Sequence, residues 1–237
     1  MTGTIINIIA VLIGGIIGLL FGARFPENMR RTVVSALGLF TMVIGIQMFL
    51  KTGNAIIVLS SLILGAILGE IAQIETVLSN FGGWLEKRFM PRSLDKPDPN
   101  TFVKGFLTAS LVFCVGPMTI LGSIQDGLTG DYSLLAIKAV LDGFAALAFA
   151  STLGVGVLFS VIIILLYQGG LSLLAAQVQA VVSTSMMTEM TAVGGVILVG
   201  IAISSLLELK PIRVGNFLPA LIVAPLIVFV IELLSGN

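Results

Sequence analysis

The chain has 237 residues, 57% hydrophobic and 10% charged, with a mean hydropathy of +1.14; a soluble domain carries about 25% charged residues, so a water-soluble globule is excluded and the expected partner is a lipid bilayer. Twelve Lys and Arg balance twelve Asp and Glu, which removes the basic excess a nucleic-acid partner requires. With no histidine and one cysteine, Cys114, no metal, cofactor or intrachain disulfide is expected, and proton chemistry falls to carboxylates.

No basic residue precedes the first apolar run, so that run reads as a retained span and not as a signal peptide. A helix crossing a hydrocarbon core of about 30 Å needs roughly 20 mainly apolar residues. Spans are therefore predicted at 4–22, 33–50, 55–74, 102–122, 134–152, 158–176, 190–207 and 217–234, eight in all. The apolar runs show no period-two alternation, so helices and not a barrel are expected. Arg24, Arg30 and Arg31, then Lys87, Arg88, Arg92 and Lys96, then Lys210 and Arg213 fall on one side of this arrangement, with Lys51 and Lys138 on the other. The basic side is the cytoplasmic one, which places both termini outside.

The stretch 75–101 is the cytoplasmic connector. Ile74, Val77, Leu78, Phe81 and Leu85 recur at helical spacing beside Trp84, as in a helix lying at the membrane interface, and Pro91 to Asn100 read as a solvated loop.

The chain also repeats itself. Gly14-Gly15 matches Gly169-Gly170 at an offset of 155, Ala36-Leu37-Gly38 matches Ala192-Val193-Gly194 at 156, and Gly53-Asn54 with Glu70 matches Gly215-Asn216 with Glu232 at 162. Five spans separate the partners, an odd number, so the copies run in opposite directions. The expected fold is an all-α polytopic bundle. Residues 1–74 form a first three-helix repeat, 102–152 hold central spans with a Gly-Pro break, and 153–237 form a second, inverted repeat. Inverted repeats are a recurring plan of secondary transporters.

Chemistry is expected where polar groups meet the spans. Gly116-Pro117 interrupts the fourth span, as a mild kink or as a break that starts a second half-helix. Asp142 sits mid-span, where insertion costs at least ~2.5 kcal/mol; it is either the partner of Lys138, four residues earlier, or a cation or proton site. Glu189 is expected in the first turn of the seventh span, where a carboxylate suits the helix dipole. Gln125 and Asp126 read as a helix end and turn, or as a gate. Asn7, Gln47 and Gln168 read first as interhelical hydrogen-bonding residues, and Glu70 and Glu232 as interfacial carboxylates. Candidate substrate-binding residues are therefore Cys114, Gly116, Pro117, Gln125, Asp126, Asp142, Gln168 and Glu189. Small-residue faces such as Gly14/Gly18, Gly18/Gly22 and Gly65/Gly69 let helices approach closely, within the chain or across a homodimer. No nucleophile–base pair, phosphate loop or dinucleotide fingerprint is present, so an enzyme is not expected.

The run Cys114-Val115-Gly116-Pro117-Met118 to Gln125-Asp126-Gly127, with Leu141-Asp142-Gly143 and Tyr167-Gln168-Gly169, resembles the YdfK/YqgA-like family of uncharacterised bacterial multi-spanning membrane proteins, domain of unknown function 554. The resemblance covers the whole chain. It implies a bacterial inner-membrane location and a transport role, with no substrate attached. Together these features point to a transporter of a small solute or ion working by alternating access between inverted repeats. The alternatives are a structural or regulatory protein that dimerises without transport, and a channel.

Overall fold

A computed structural model describes residues 1–22, 26–89 and 99–235. Every regular element among them is helical: α1 (Thr2–Gly22), α2 (Glu27–Phe49), α3 (Ala55–Ala72), α4 (Ile74–Phe89), α5 (Pro99–Cys114), α6 (Pro117–Thr129), α7 (Ser133–Leu153), α8 (Gly156–Leu173), α9 (Ala175–Val181), α10 (Thr184–Ile201) and α11 (Ala220–Ser235). Among the described residues, seven helices are long and apolar enough to cross a bilayer, α10 extended by the π-helical turn Ala202–Leu206 among them; α5 and α6 meet the test together, bent by 63°. The eight expected spans thus appear as seven helices and one broken pair. Arg24 and most of the proline-rich connector, 90–98, lie outside the described residues.

The Gly-Pro break expected in the fourth span is present, and two other expectations on boundaries need correction. The fourth span is broken: α5 ends at Cys114 and α6 starts at Pro117, where the ring's fixed φ and missing N–H suit a first helical position. The loop expected at 176–188 instead holds α9 and the start of α10. The polar run that suggested a loop is a cap, because Ser183 accepts from the Met186 N–H and so starts α10 six residues early. The third span stops at Ala72 because Gln73 is left-handed (φ 49°) and turns the chain into α4.

The chain divides into two compact units, residues 1–37, 78–114 and 118–178, and residues 38–77, 115–117 and 179–237. In the first, Gly14, Gly18 and Gly22 of α1 lie on Gly143, Leu147 and Ser151 of α7. The offset stays at 129, so α1 and α7 run parallel. A Cβ on any of the three glycines would overlap an α7 carbonyl; small residues here allow backbone-to-backbone packing in lipid. The opposite face of α1 exposes Ile5, Ile9, Ile13, Ile16 and Leu20, while Gly3, Thr4 and Asn7 are buried. Lipid inverts the soluble rule, putting large aliphatic side chains outward and small or polar ones inward.

Helix α8 runs against α1, with Leu158 at Gly15 and Gln168 at Thr4 and Asn7. The bent α5–α6 pair follows α8 from end to end: Gly156 backs onto Phe102, and Gly127 onto Ser172. The pair therefore covers the length of one span despite its break. On α4, Leu85 and Gly82 pack against Phe106 of α5, leaving Trp84 exposed and stacked on Phe81.

In the second unit α2 runs antiparallel to α10, with Gly38 at Leu207 and Gly45 at Gly195. Helix α3 runs antiparallel to α11 and the 3-10 turn before it (Val214–Phe217), with Gly65 at Ala220 and Gly69 at Asn216. The Gly14/Gly18/Gly22 and Gly65/Gly69 faces are thus filled within the chain.

Candidate functional site, a polar network buried in the first unit

Three helices bring uncharged and charged groups together at membrane depth. Lys138 and Asp142, one turn apart on α7, form an ion pair and are only 6% and 8% exposed. The expected pairing holds, with both side chains buried. Asn7 of α1, fully buried, directs its Nδ2 group to Asp142 Oδ2 and to Gln168 Oε1, both at 3.0 Å. Gln168 of α8 in turn donates to Thr4 Oγ1 at 3.2 Å. Asn7 and Gln168 therefore act as the interhelical hydrogen-bonding residues their sequence context suggests. The Asn7 amide caps the carboxylate from α1, so no single helix holds the charge by itself. A buried carboxylate with one charged and one amide partner is stabilised in a medium where an isolated charge costs several kcal/mol.

Asp126 lies at the helix end expected of it, and its side chain is buried. It lies in the last turn of α6 and is 3% exposed; the Gly3 N–H donates to its Oδ2 at 3.1 Å, and the Met1 amino group lies 2.8 Å from the same oxygen. Asp126 thus anchors the start of α1, while Asn7, one turn further on, reaches Asp142. Gln125, its neighbour, faces the exterior and donates to Asp131 Oδ2 at 2.7 Å. Asp131 also accepts from the hydroxyl and N–H of Ser133, and these bonds hold its carboxyl below the usual range.

Cys114 closes α5 and is half-buried, within electrostatic reach of Lys138 and Asp142. On α7, Phe149 meets Phe113 of α5, and Leu135 meets Gly122 of α6. Asp142 lies between those two α7 residues, so it stands at the level where α5 gives way to α6.

Glu189 sits in the second unit, past the first helical turn in which it was expected. It lies inside α10 and is 4% exposed, accepting from the Thr52 hydroxyl at 2.6 Å and from the N–H groups of Gly53 and Asn54 at 2.8 and 3.1 Å. The matching dipeptide does the same with another carboxylate: the Gly215 N–H donates to Glu75 at 2.8 Å, and Asn216 accepts from the Glu75 N–H and donates to Glu70. Burial raises the Glu75 carboxyl above its ordinary range against the lowering effect of the Gly215 N–H. Arg213 pairs with Glu70, and Glu232 accepts from Ser183 at 3.1 Å. The two Gly-Asn loops sit at opposite ends of α3, since Asn54 caps its first turn and Asn216 meets its last. Sequence reasoning paired the dipeptides but missed Thr52 and Glu75, although the repeated Gly-Asn pointed to both loops. No group of three or more Asp, Glu, Cys or His that could hold a metal occurs among the described residues.

A family model described as a protein of unknown function, DUF554, matches residues 2–229. The chain belongs to this family. As a DUF554 protein it is similar to the uncharacterized protein YqgA of Escherichia coli strain K12, at 34% identity over 222 residues and 94% of each chain. It is also similar to the uncharacterized membrane protein YdfK of Bacillus subtilis strain 168, at 30% identity over 98% of this chain and 97% of that one. No solved structure matches. The apolar helices and the YdfK description agree on a DUF554 membrane protein with several spans.

Proposed function

We propose that this protein is a bacterial inner-membrane transporter of a small solute or ion, with its polar site on α1, α7 and α8. The observation that carries the reading is the Lys138–Asp142 pair, buried mid-span and joined by Asn7 and Gln168. A structural bundle gains nothing from charges at this depth, because apolar side chains of similar volume would be as stable or more so; intramembrane ionisable residues by default mark pathways.

The arrangement of the repeats supports alternating access. Helices α1 and α8, α2 and α10, and α3 and α11 are the partners proposed from sequence, and each pair is in antiparallel contact. Both first members lie in one compact unit, and the second and third members lie in the other, α2 from residue 38 on. The equivalent Gly-Asn loops cradle carboxylates at opposite ends of α3, as copies of inverted direction would. On this reading the basic loops are cytoplasmic, both termini are outside, and the protein does no covalent chemistry.

Purified protein in proteoliposomes, offered a panel of labelled organic and inorganic ions across an imposed proton or sodium gradient, provides the test. Protein-dependent uptake of at least one solute, lost in Asp142→Asn, is expected. Uptake at the level of empty vesicles throughout the panel overturns the reading.

A further inference from the structure

We infer that the C-terminal half of α4 is a docking surface for anionic phospholipid, with Trp84 at the acyl boundary and Lys87 and Arg88 on the headgroup phosphate. The inference goes beyond the transport reading and does not need it, because its readout is lipid contact and not flux.

Helical spacing builds the face. At about 100° per residue, α4 turns Gly82 and Leu85 onto Phe106 of α5. Trp84 and Arg88, one turn apart, fall on another side of the helix with Lys87 beside them, and all three are exposed. Gly83 has nothing within 4 Å of where a side chain would begin, so the backbone next to Trp84 is bare. Trp84 is stacked on Phe81 at 5.9 Å between rings, which fixes one indole face and leaves the other open. An indole offers an apolar body and one N–H donor, the combination that collects where hydrocarbon gives way to headgroups.

The face also stands at the end of the spans. Phe89 of α4 meets Phe159, in the first turn of α8, at 5.6 Å, and Phe102, in the first turn of α5, meets the same ring at 5.2 Å. The last turn of α4 is therefore level with the point where α5 and α8 begin.

Charge decides the occupant. Among the described residues, neither Lys87 nor Arg88 has an ion-pair or hydrogen-bond partner. Glu86, the one acidic residue in this half of α4, lies one turn after Gly82 on the packed side and is only partly exposed. Two cations thus stand beside an exposed indole without an anion of the chain to neutralise them. A zwitterionic headgroup brings its own ammonium and gains little here. An anionic one gains both charges, and the Arg88 guanidinium can hold its phosphate by two N–H donors at once. Each basic residue favours an anionic leaflet by roughly fivefold at low salt.

Trp84 is the only tryptophan of the chain, so its fluorescence reports this face alone. The full chain is reconstituted in vesicles of phosphatidylglycerol and phosphatidylcholine, with brominated acyl chains, which quench indole on contact, carried by one lipid or by the other. From the two quenching curves the preference of phosphatidylglycerol over phosphatidylcholine at Trp84 is expected at about 5- to 25-fold. It should fall toward one as salt is raised. Lys87→Gln with Arg88→Gln should bring it near one at low salt and leave quenching by phosphatidylcholine intact. Equal quenching by the two lipids in the wild type overturns the inference, as does a preference that survives the double variant. No quenching by either lipid overturns it too, since the face would then be covered by a second copy or another protein. Should the double variant aggregate, the wild-type preference and its salt dependence decide alone. Solute uptake without lipid preference would sink this surface and leave transport standing; preference without any flux would do the reverse.

Discussion

Asn7 of α1 donates to Asp142 of α7 at 3.0 Å, across 135 positions of chain. The carboxylate therefore belongs to a network spread over three helices, and its removal leaves more than a missing contact. Asp142→Leu strands the Lys138 ammonium in an apolar interior and is expected to cost about 3–5 kcal/mol of stability. The double variant Lys138→Met with Asp142→Leu should recover most of that loss. Melting in detergent measures both; a double variant no more stable than the single one would show that the pair is not buried as described.

Glycine positions separate the packing of α1 from simple helix propensity. Gly18→Ala puts a methyl group onto the Leu147 carbonyl and is expected to destabilise by about 1–3 kcal/mol. Gly170→Ala, in α8, meets nothing within 4 Å and should be neutral or gain up to about 1 kcal/mol from helix propensity. Equal melting temperatures for the two variants would contradict the close approach of α1 to α7.

The broken α5–α6 pair decides the parity of everything after it. In a Cys114→Ala background, single cysteines replacing Lys51 or Tyr132 should react with a membrane-impermeant maleimide added outside cells. Cysteines replacing Lys87 or Lys210 should react only after permeabilisation. If Tyr132→Cys and Lys87→Cys label from the same side, α5 and α6 form a re-entrant loop and not a crossing.

Glu75 supplies a pH dependence of known sign. Its carboxyl lies above the ordinary 4.5 in the folded protein, so its contribution to stability is fully present below pH 4.5 and is lost as pH rises through the folded value. Glu75→Gln, which cannot ionise, should flatten the fall in melting temperature over that window while keeping an acceptor for the Gly215 N–H. An unchanged pH profile would remove Glu75 from the titration.

The spans were legible because lipid demands long apolar runs, and the Lys138–Asp142 pair because its partners are four residues apart. The helix faces were not. Nearly every residue of α1 is apolar, so hydrophobic periodicity carries no signal, and what distinguishes its inner face is the smallness of Gly14 and Gly18 and the polarity of Asn7. Pairings such as Asn7 with Gln168, 161 residues apart, are set by tertiary register alone. Glu189 was misplaced because it stands near a polar stretch that reads as a loop but continues as helix, drawing the carboxylate inside α10.

The parallel seating of α1 on α7 also bears on how the protein is made. Helix α1 emerges from the ribosome first, yet the groove it fills is complete only when residue 153 has followed, about 130 residues later. At about 5–20 residues per second that interval is roughly 7–26 s, during which Asn7 and the glycine face must be shielded by lipid, by the insertion machinery or by a neighbouring helix. The newborn chain holds an unfinished joint open until its own middle arrives to close it.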